Sequence, residues 1–192
     1  GSVQFRIYEG DIMRKISLII IILSVIYAGP SYRKLILENN LKVILVSDEK
    51  YNKSSASMNV MAGSLSDPKE YQGLAHFLEH MLFLGTKKYP DTDDYSSYLK
   101  SNGGYSNAYT AEDHTNYHYQ VYHGAFEGAL DRFSQFFISP LFTKEYTKRE
   151  MNAVNSEYQK NLEQDYWRMR QVKRNLYNSN HPANHFEIGT LE

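Results

Sequence analysis

The sequence predicts a mixed fold of α-helices and β-strands. Two pairs of alternating apolar and polar runs have the pattern of β-hairpins, and several longer runs repeat apolar residues at helical spacing. The length of 192 residues suits one domain with a sizeable core. We assign residues 31–192 to that domain, and residues 1–30, which begin with a Gly-Ser cloning remnant, to a separate leading segment.

Residues 13–28 have the pattern of a secretory signal peptide. Arg14 and Lys15 give a positively charged start, 16–26 form a short apolar run, and Ala28 is a small residue suited to a cleavage site. The run is too short for a comfortable transmembrane span, and the alternative is a buried strand or helix. We therefore expect the secretory pathway or the extracellular space, with the cytoplasm as the alternative location.

The first predicted hairpin joins two apolar-rich runs, 32–37 and 41–46. Asn39-Asn40 lies between them, and asparagine tolerates the positive φ that a tight turn needs. A polar loop follows, and the alternating run 57–62 predicts a third strand.

A second hairpin is predicted from 105–111 and 115–121, two runs rich in tyrosine and polar residues. Such a strand near a binding site can hold an extended peptide by adding it to the sheet. An ordinary half-exposed hairpin has the same composition, so the residues alone leave the two interpretations equal.

Three further helices are predicted from apolar spacing and from residues that start or end helices. They are 93–101, capped by Asp91 or Thr92; 126–139, ended by Pro140; and 144–177, capped by Thr143 and in one or two pieces. The tail beyond 177 has no turn or capping pattern that would close a domain.

The stretch 73–85 carries the pattern around which the chain is organised. It is mainly apolar and lacks proline and β-branched residues, which predicts a largely buried helix. Positions i and i+4 share a helix face, so His76 and His80 can point at one metal ion. Glu79 flanks that face and can reach a metal-bound water without being a ligand.

The alternative interpretation of this stretch is two core histidines beside a solvated glutamate. Three ionisable side chains on one turn of an apolar helix are costly to bury unless something pairs them. The setting therefore favours a metal site of the inverted zinc-peptidase type.

A zinc ion held by two histidines needs one more protein ligand and leaves a position for water. The long helix offers four glutamates, of which Glu150 and Glu157 are seven residues apart and share a face. The residues alone do not select one of them. Candidates are Glu145, Glu150, Glu157 and Glu163.

The composition excludes other classes of protein. The formal net charge is -1 with no basic block, so no nucleic-acid partner is expected. The absence of cysteine excludes disulfides and a cysteine-ligated zinc.

A dense set of short segments resembles the amino-terminal catalytic domain of the insulin-degrading enzyme and pitrilysin (insulinase) family of zinc metallopeptidases. These segments are 63–68, 76–86, 106–110, 114–117, 128–133 and 152–157. The resemblance runs from about residue 32 to the end of the chain and is far more specific than the five-residue motif alone.

The resemblance implies roles for the candidate residues. His76 and His80 correspond to the first two ligands of one zinc ion per chain, and Glu157 corresponds to the third. Glu79 corresponds to the general base. Glu150 corresponds to an acidic residue that supports the site without binding the metal.

The resemblance also implies how a peptide substrate is held. Asn107 and Ala108, followed by Tyr109, correspond to an edge strand that pairs with the substrate backbone. Phe83 corresponds to a residue lining the pocket beside the zinc. The implied fold is α+β, a mainly antiparallel sheet with helices packed on one face.

The resemblance implies a zinc metalloendopeptidase that is part of a longer enzyme, because members of this family contain four related domains. We expect this chain to be a truncated piece, whose partners are peptide substrates and the remaining domains, and self-association is a further expectation. The alternative function is a catalytically incomplete peptide-binding or regulatory fragment. The mitochondrial processing peptidases share the motif, but the continuation 82–85 and Tyr89-Pro90 favour the insulinase branch.

Overall fold

The computed structural model describes residues 29–191, so the predicted signal segment at 13–28 lies outside the described residues. The chain divides into two compact units, Gly1–Tyr51 and Asn52–Glu192. In the part that the structure describes, no helix is both long and apolar enough to cross a membrane.

The described part of the first unit is a two-stranded antiparallel hairpin. Strand β1 (Ser31–Ile36) pairs with β2 (Lys42–Ser47), so that Ile36 lies opposite Lys42 next to the turn. Asn40 in the turn has a φ of 66°, the left-handed conformation that asparagine tolerates. The predicted hairpin and its turn are confirmed.

The second unit contains a three-stranded antiparallel sheet. Its strands are β3 (Lys53–Val60), β4 (Tyr105–Thr110) and β5 (Thr115–Tyr122), in the order β3-β5-β4. The second predicted hairpin is therefore confirmed as β4 and β5. Strand β3 begins at Lys53 rather than at residue 57, because its polar first residues pair with the end of β5.

Five helices accompany the sheet in the described part of the second unit. They are α1 (Leu74–Met81), α2 (Asp94–Ser101), α3 (Phe126–Ile138), α4 (Lys144–Leu162) and α5 (Asp165–Asn175). The predicted long helix is thus two helices, interrupted where Gln164 adopts an extended backbone with ψ of 124°.

Two predictions about local signals are wrong. Neither Asp91 nor Thr92 caps α2, because the helix begins after Asp93; the Asp91 side chain instead accepts a hydrogen bond from the Asp93 amide at 2.9 Å. The tail does contain a turn: a single 3₁₀ turn, Pro182–Asn184, follows His181, whose ring accepts a hydrogen bond from the Ala183 amide.

The core lies between one face of the sheet and helices α2 and α3. Alternate residues of β5 point inward, and Tyr119 and Val121 are almost completely buried there. Tyr95 of α2 and Phe136 of α3 meet edge-to-face, with ring centroids 4.8 Å apart. Helices packed on one face of an antiparallel sheet confirm the α+β fold class.

Helix α1 is less buried than its apolar sequence predicts. Leu74 and Leu78 are 44% and 43% exposed, whereas Met81 at the end of the helix is only 2% exposed. The helix contacts α4 and β4 with its other faces. The prediction of a largely buried stretch is therefore correct only in part: Leu74 and Leu78 are exposed, and the other residues of 73–85 are buried or half-buried.

The start of α1 is fixed by a side chain from outside the helix. Its N-cap residue is Gly73, whose φ of 86° suits glycine and which has no side chain to act as a cap. The two carboxylate oxygens of Asp67 accept hydrogen bonds from the amides of Gly73 and Ala75, each at 2.8 Å. Burial raises the pKa of Asp67. The two hydrogen bonds favour the ionised carboxylate and oppose this rise only in part.

We predict that Asp67→Ala lowers the free energy of unfolding by about 1–3 kcal/mol, because one buried and one part-buried amide at the start of α1 lose their acceptor. Urea denaturation of the metal-free chain measures this change. Asp91→Ala is the matched control, since its carboxylate also accepts an amide hydrogen bond but is exposed. An equal loss in both variants would contradict a special role for Asp67.

Candidate metal centre

Helices α1 and α4 bring together three potential metal ligands. His76 and His80 lie one turn apart on α1, and Glu157 faces them from α4. Oxygen Oε2 of Glu157 is 3.6 Å from Nε2 of His76 and 3.6 Å from Nε2 of His80. The two predicted histidines and one of the four candidate glutamates therefore form a single cluster.

Each histidine ring is oriented through its other nitrogen. Nδ1–H of His76 donates to the backbone carbonyl of Ile188 at 2.8 Å. Nδ1 of His80 lies 3.3 Å from Oε2 of Glu150. Because a carbonyl and a carboxylate accept hydrogen bonds, both rings donate from Nδ1 and turn Nε2 towards Glu157, and Nε2 is then the atom that can bind a metal.

The three side chains fit a zinc ion. Tetrahedral zinc with ligands at roughly 2.0–2.1 Å separates those ligand atoms by about 3.4 Å, close to the 3.6 Å between Glu157 and each histidine nitrogen. The ligand atoms of the cluster all lie within 4.8 Å of one another. Two imidazoles and one carboxylate, with the fourth position left to water, are the ligand set of a catalytic zinc site.

Without a metal, the contact between His80 and Glu157 favours a protonated imidazole beside an ionised carboxylate. The hydrogen bond with Glu157 is the main cause that raises the pKa of His80, Glu150 adds to it, and burial opposes it. The same contact with His80 holds the pKa of the Glu157 carboxyl below its usual value. Glu157 is therefore ionised, as a metal ligand must be.

Glu79 lies beside the cluster and is held from the sheet. The hydroxyl of Thr110, the last residue of β4, donates to Oε2 of Glu79 at 2.6 Å. Thr115, opposite Thr110 on β5, is itself fixed by a hydrogen bond from its hydroxyl to the carbonyl of Ala62 at 2.9 Å. The Glu79 carboxylate is thus anchored to the sheet as well as to the helix that carries both histidines.

Glu150 lies where its sequence spacing predicts, two turns before Glu157 on the same face of α4. Its carboxylate, which is 14% exposed, contacts His80 through one oxygen and Arg149 at 3.4 Å through the other. It contacts His80 rather than joining the three-residue cluster.

The predicted substrate-binding residues occupy two different surroundings. Asn107 and Tyr109 are exposed on β4, which has β5 as its only partner strand among residues 29–191 and ends at the residue that contacts Glu79. Ala108 is half-buried between them. Phe83 packs into the aromatic core, with its ring 5.2 Å from that of Phe136.

Sequence reasoning missed three residues that shape the site: Asp67, Thr110 and Ile188. Thr110 stands near the end of a predicted strand, but it is 31 residues from Glu79 in the sequence, so only the fold shows that the two are neighbours. Ile188 contacts His76 through its backbone carbonyl. Every residue has this group, so the residue type at position 188 does not predict the contact.

We predict that the His80–Glu157 pair stabilises the metal-free chain most between about pH 4.5 and 6.5. Because the folded pKa of His80 is raised, its contribution is complete below the ordinary histidine pKa and is lost as pH rises through the raised value. The lowered pKa of Glu157 makes its contribution complete above the ordinary carboxyl value, and it is lost as pH falls through the lowered one.

Urea denaturation of the metal-free chain and of His80→Asn at several pH values tests this prediction. The difference in unfolding free energy between the two proteins should be largest in that window and shrink on both sides. A difference that stays constant from pH 4 to 9 would contradict it.

Comparisons with known proteins agree with this geometry. The family model described as Insulinase (Peptidase family M16) matches residues 42–180. The A-factor-processing enzyme of Saccharomyces cerevisiae is 52% identical over 162 residues, which cover 84% of this chain and 16% of that protein. The insulin-degrading enzyme-like 1, peroxisomal, of Arabidopsis thaliana is 51% identical over 161 residues, covering 84% of this chain and 17% of that protein.

The crystal structure of pitrilysin superposes on this fold with a TM-score of 0.82 and 43% sequence identity. The match covers 86% of this chain and 18% of the pitrilysin chain. The chain thus spans less than a fifth of the length of the proteins that it matches.

Proposed function

Since the chain belongs to the insulinase family of peptidases, we propose that it is the zinc-binding part of a metalloendopeptidase that hydrolyses peptides. The proposed cofactor is zinc, with one ion bound per chain. The match to the peptidase family and the His-His-Glu cluster both support this cofactor. The observation that carries the proposal is the position of Glu157, 3.6 Å from both histidine nitrogens.

His76, His80 and Glu157 are the proposed zinc ligands. Zinc, when bound, supplies a Lewis acid that lowers the pKa of water and polarises a peptide carbonyl. The chain's part in this step is to present two neutral imidazoles and an ionised carboxylate, and the hydrogen bonds to Nδ1 of both rings support that state.

Glu79 is the proposed general base. Its carboxylate accepts the proton that the attacking water loses and then donates it to the amine that leaves. The hydrogen bond from Thr110 supports this role, because it holds one oxygen of Glu79 while the carboxylate remains beside the cluster.

The proposed substrate site is the edge of β4. A peptide in extended conformation pairs there with the backbone at Asn107 and Ala108, beside the exposed ring of Tyr109. The position of β4 at the edge of the three-stranded sheet supports this role, since such a strand carries unpaired amides and carbonyls. Phe83 packs against the core but is only partly buried, and we propose that its remaining surface lines the pocket next to the zinc.

The proposed partners are peptide substrates and the remaining domains of a longer enzyme. The small share of each relative that the chain covers supports this proposal. It also favours a second candidate function, a peptide-binding or regulatory fragment that needs the other domains for turnover. Self-association through exposed apolar surface is the competing arrangement, and size-exclusion chromatography distinguishes a monomer from it.

The location is proposed from residues 13–28 alone. We propose the secretory route, with the cytoplasm as the alternative location. Among the relatives, the Arabidopsis protein is named as peroxisomal. Expression with a carboxy-terminal tag tests the proposal, since secretion should remove the segment and release a shortened chain.

Zinc content and peptide cleavage together test the proposed function. We predict one zinc per chain by elemental analysis, loss of that zinc in Glu157→Gln, and retention in Glu163→Gln, which removes an exposed carboxylate at the carboxy-terminal cap of α4. Glu79→Gln should keep zinc and lose roughly 10²–10⁴-fold in cleavage of a fluorogenic peptide, assayed with and without the remaining domains.

The outcomes separate the two candidate functions. Absence of zinc from the unmodified chain would overturn the metal site. Stoichiometric zinc without cleavage, together with binding of the peptide, would favour the binding fragment over the peptidase.

Thr110→Val tests how Glu79 is held. We predict a roughly ten- to hundred-fold loss of cleavage at unchanged zinc content, because a hydrogen bond to a carboxylate contributes about 1.5–3 kcal/mol. Thr110→Ser keeps the hydroxyl and should retain most of the activity. Equal activity of Thr110→Val and the unmodified chain would show that Glu79 does not need this anchor.

A further inference from the structure

A short segment of the tail, residues 185–189, packs against the beginning of α1, and we name it the docking segment. The amide of Phe186 donates a hydrogen bond to the side chain of Gln72 at 2.6 Å. Gln72 directly precedes Gly73, the N-cap residue of α1. Gly73 and Gly189 approach so closely that a Cβ on Gly73 would collide with the Gly189 backbone. The docking segment therefore lies in direct contact with the metal-binding helix.

The docking segment also contacts a proposed zinc ligand. Ile188 is 7% exposed, and its carbonyl accepts the 2.8 Å hydrogen bond from Nδ1–H of His76. This bond fixes the tautomer and rotation of the ring. Because the acceptor belongs to the backbone, its position depends on whatever holds the docking segment in place.

Glu187, the residue before Ile188, is clamped by two arginines of α5. Arg170 binds both carboxylate oxygens, Nε to Oε1 at 2.5 Å and Nη2 to Oε2 at 2.9 Å. Arg174 also donates to Oε2. Such a two-point contact defines the orientation of a carboxylate as well as its position.

Arg174 is buried, with only 4% of its side chain exposed, and it joins several parts of the tail. It donates to the backbone carbonyls of Ala183 and His185, the latter at 2.9 Å. Its other acidic neighbour, Glu112, is 3.5 Å away and half exposed, whereas the Glu187 side chain is 16% exposed. Glu187 is thus the better shielded of its two counter-charges.

The docking segment also contacts α4, the helix that carries the third proposed ligand. The ring of Phe186 packs edge-to-face on Tyr158 with centroids 5.1 Å apart, and Tyr158 directly follows Glu157 on α4. One segment therefore touches α1, α4 and α5 beside the metal cluster.

We propose that Glu187 is a positioning residue for zinc: clamped between Arg170 and Arg174, it holds the Ile188 carbonyl against the His76 ring. This inference rests on the proposed function, since it concerns the same metal site. It assigns to three residues of the tail and α5 a role in metal retention, although none of them contacts the metal cluster.

Zinc release provides the test. The chain and Glu187→Gln are loaded with zinc and mixed with an excess of a chromophoric chelator, which reports the dissociation rate. We expect roughly ten- to hundred-fold faster release from Glu187→Gln, because loss of the partners of metal-binding histidines weakens metal binding by about that factor. Glu163→Gln, the same chemical change at an exposed site, should release zinc at the original rate.

A milder pair of variants covers the case in which Glu187→Gln fails to fold. Arg170→Gln removes the partly exposed half of the clamp and leaves Arg174 in place, and it should also speed up zinc release. Arg168→Gln on the same helix removes an exposed arginine and should not. Equal release from Arg170→Gln and Arg168→Gln would overturn the role of the clamp.

A second measurement separates positioning from a loss of general stability. In the zinc-loaded chain, the Nδ1 proton of His76 should give an NMR resonance that exchanges slowly with water, and it should exchange at least about ten-fold faster in Glu187→Gln. Unchanged exchange and unchanged zinc release, at full zinc loading, would overturn this inference and leave the proposed function standing. Absence of zinc from the unmodified chain would overturn both.

Discussion

Two imidazoles and a carboxylate must face one point from two helices, and most of the second unit can be understood from this constraint. A histidine ring can rotate and can carry its proton on either nitrogen, so backbone position alone does not make it a ligand. Here the Nδ1 atoms are occupied by the Ile188 carbonyl and by Glu150, which leaves Nε2 of both rings facing Glu157. Orientation comes from partners that lie far away in the sequence.

The sheet contributes to the same site from the other side. Thr110 connects the end of β4 to Glu79, so the proposed base and the proposed substrate strand are joined by one hydrogen bond. A peptide added to the edge of β4 would therefore lie at a defined distance from the base. The aromatic core beneath β5 keeps this arrangement rigid, because close-packed rings leave little room for movement.

The sequence predicted the hairpins, the helices and the motif because each depends on local pattern. Asn40 in the first turn and the histidine pair on α1 are examples in which residue type and spacing decide the structure. The exposure of Leu78 could not be predicted, since an apolar residue has the same appearance in the sequence whether or not another element covers it. Only the resemblance to the family favoured Glu157 over the three other glutamates. The spacing of residues along one helix does not predict how that helix is tilted against a second one.

The Ile188 contact has a consequence for the order in which the chain is made. His76 and the carbonyl that orients it are 112 residues apart, so at roughly 5–20 residues per second the ribosome needs about 6 to 22 s to connect them. During this interval α1 can already be present, yet its first histidine ring is free to turn. Newly made chains therefore pass through a period in which the motif is complete but His76 still lacks the carbonyl that orients its ring.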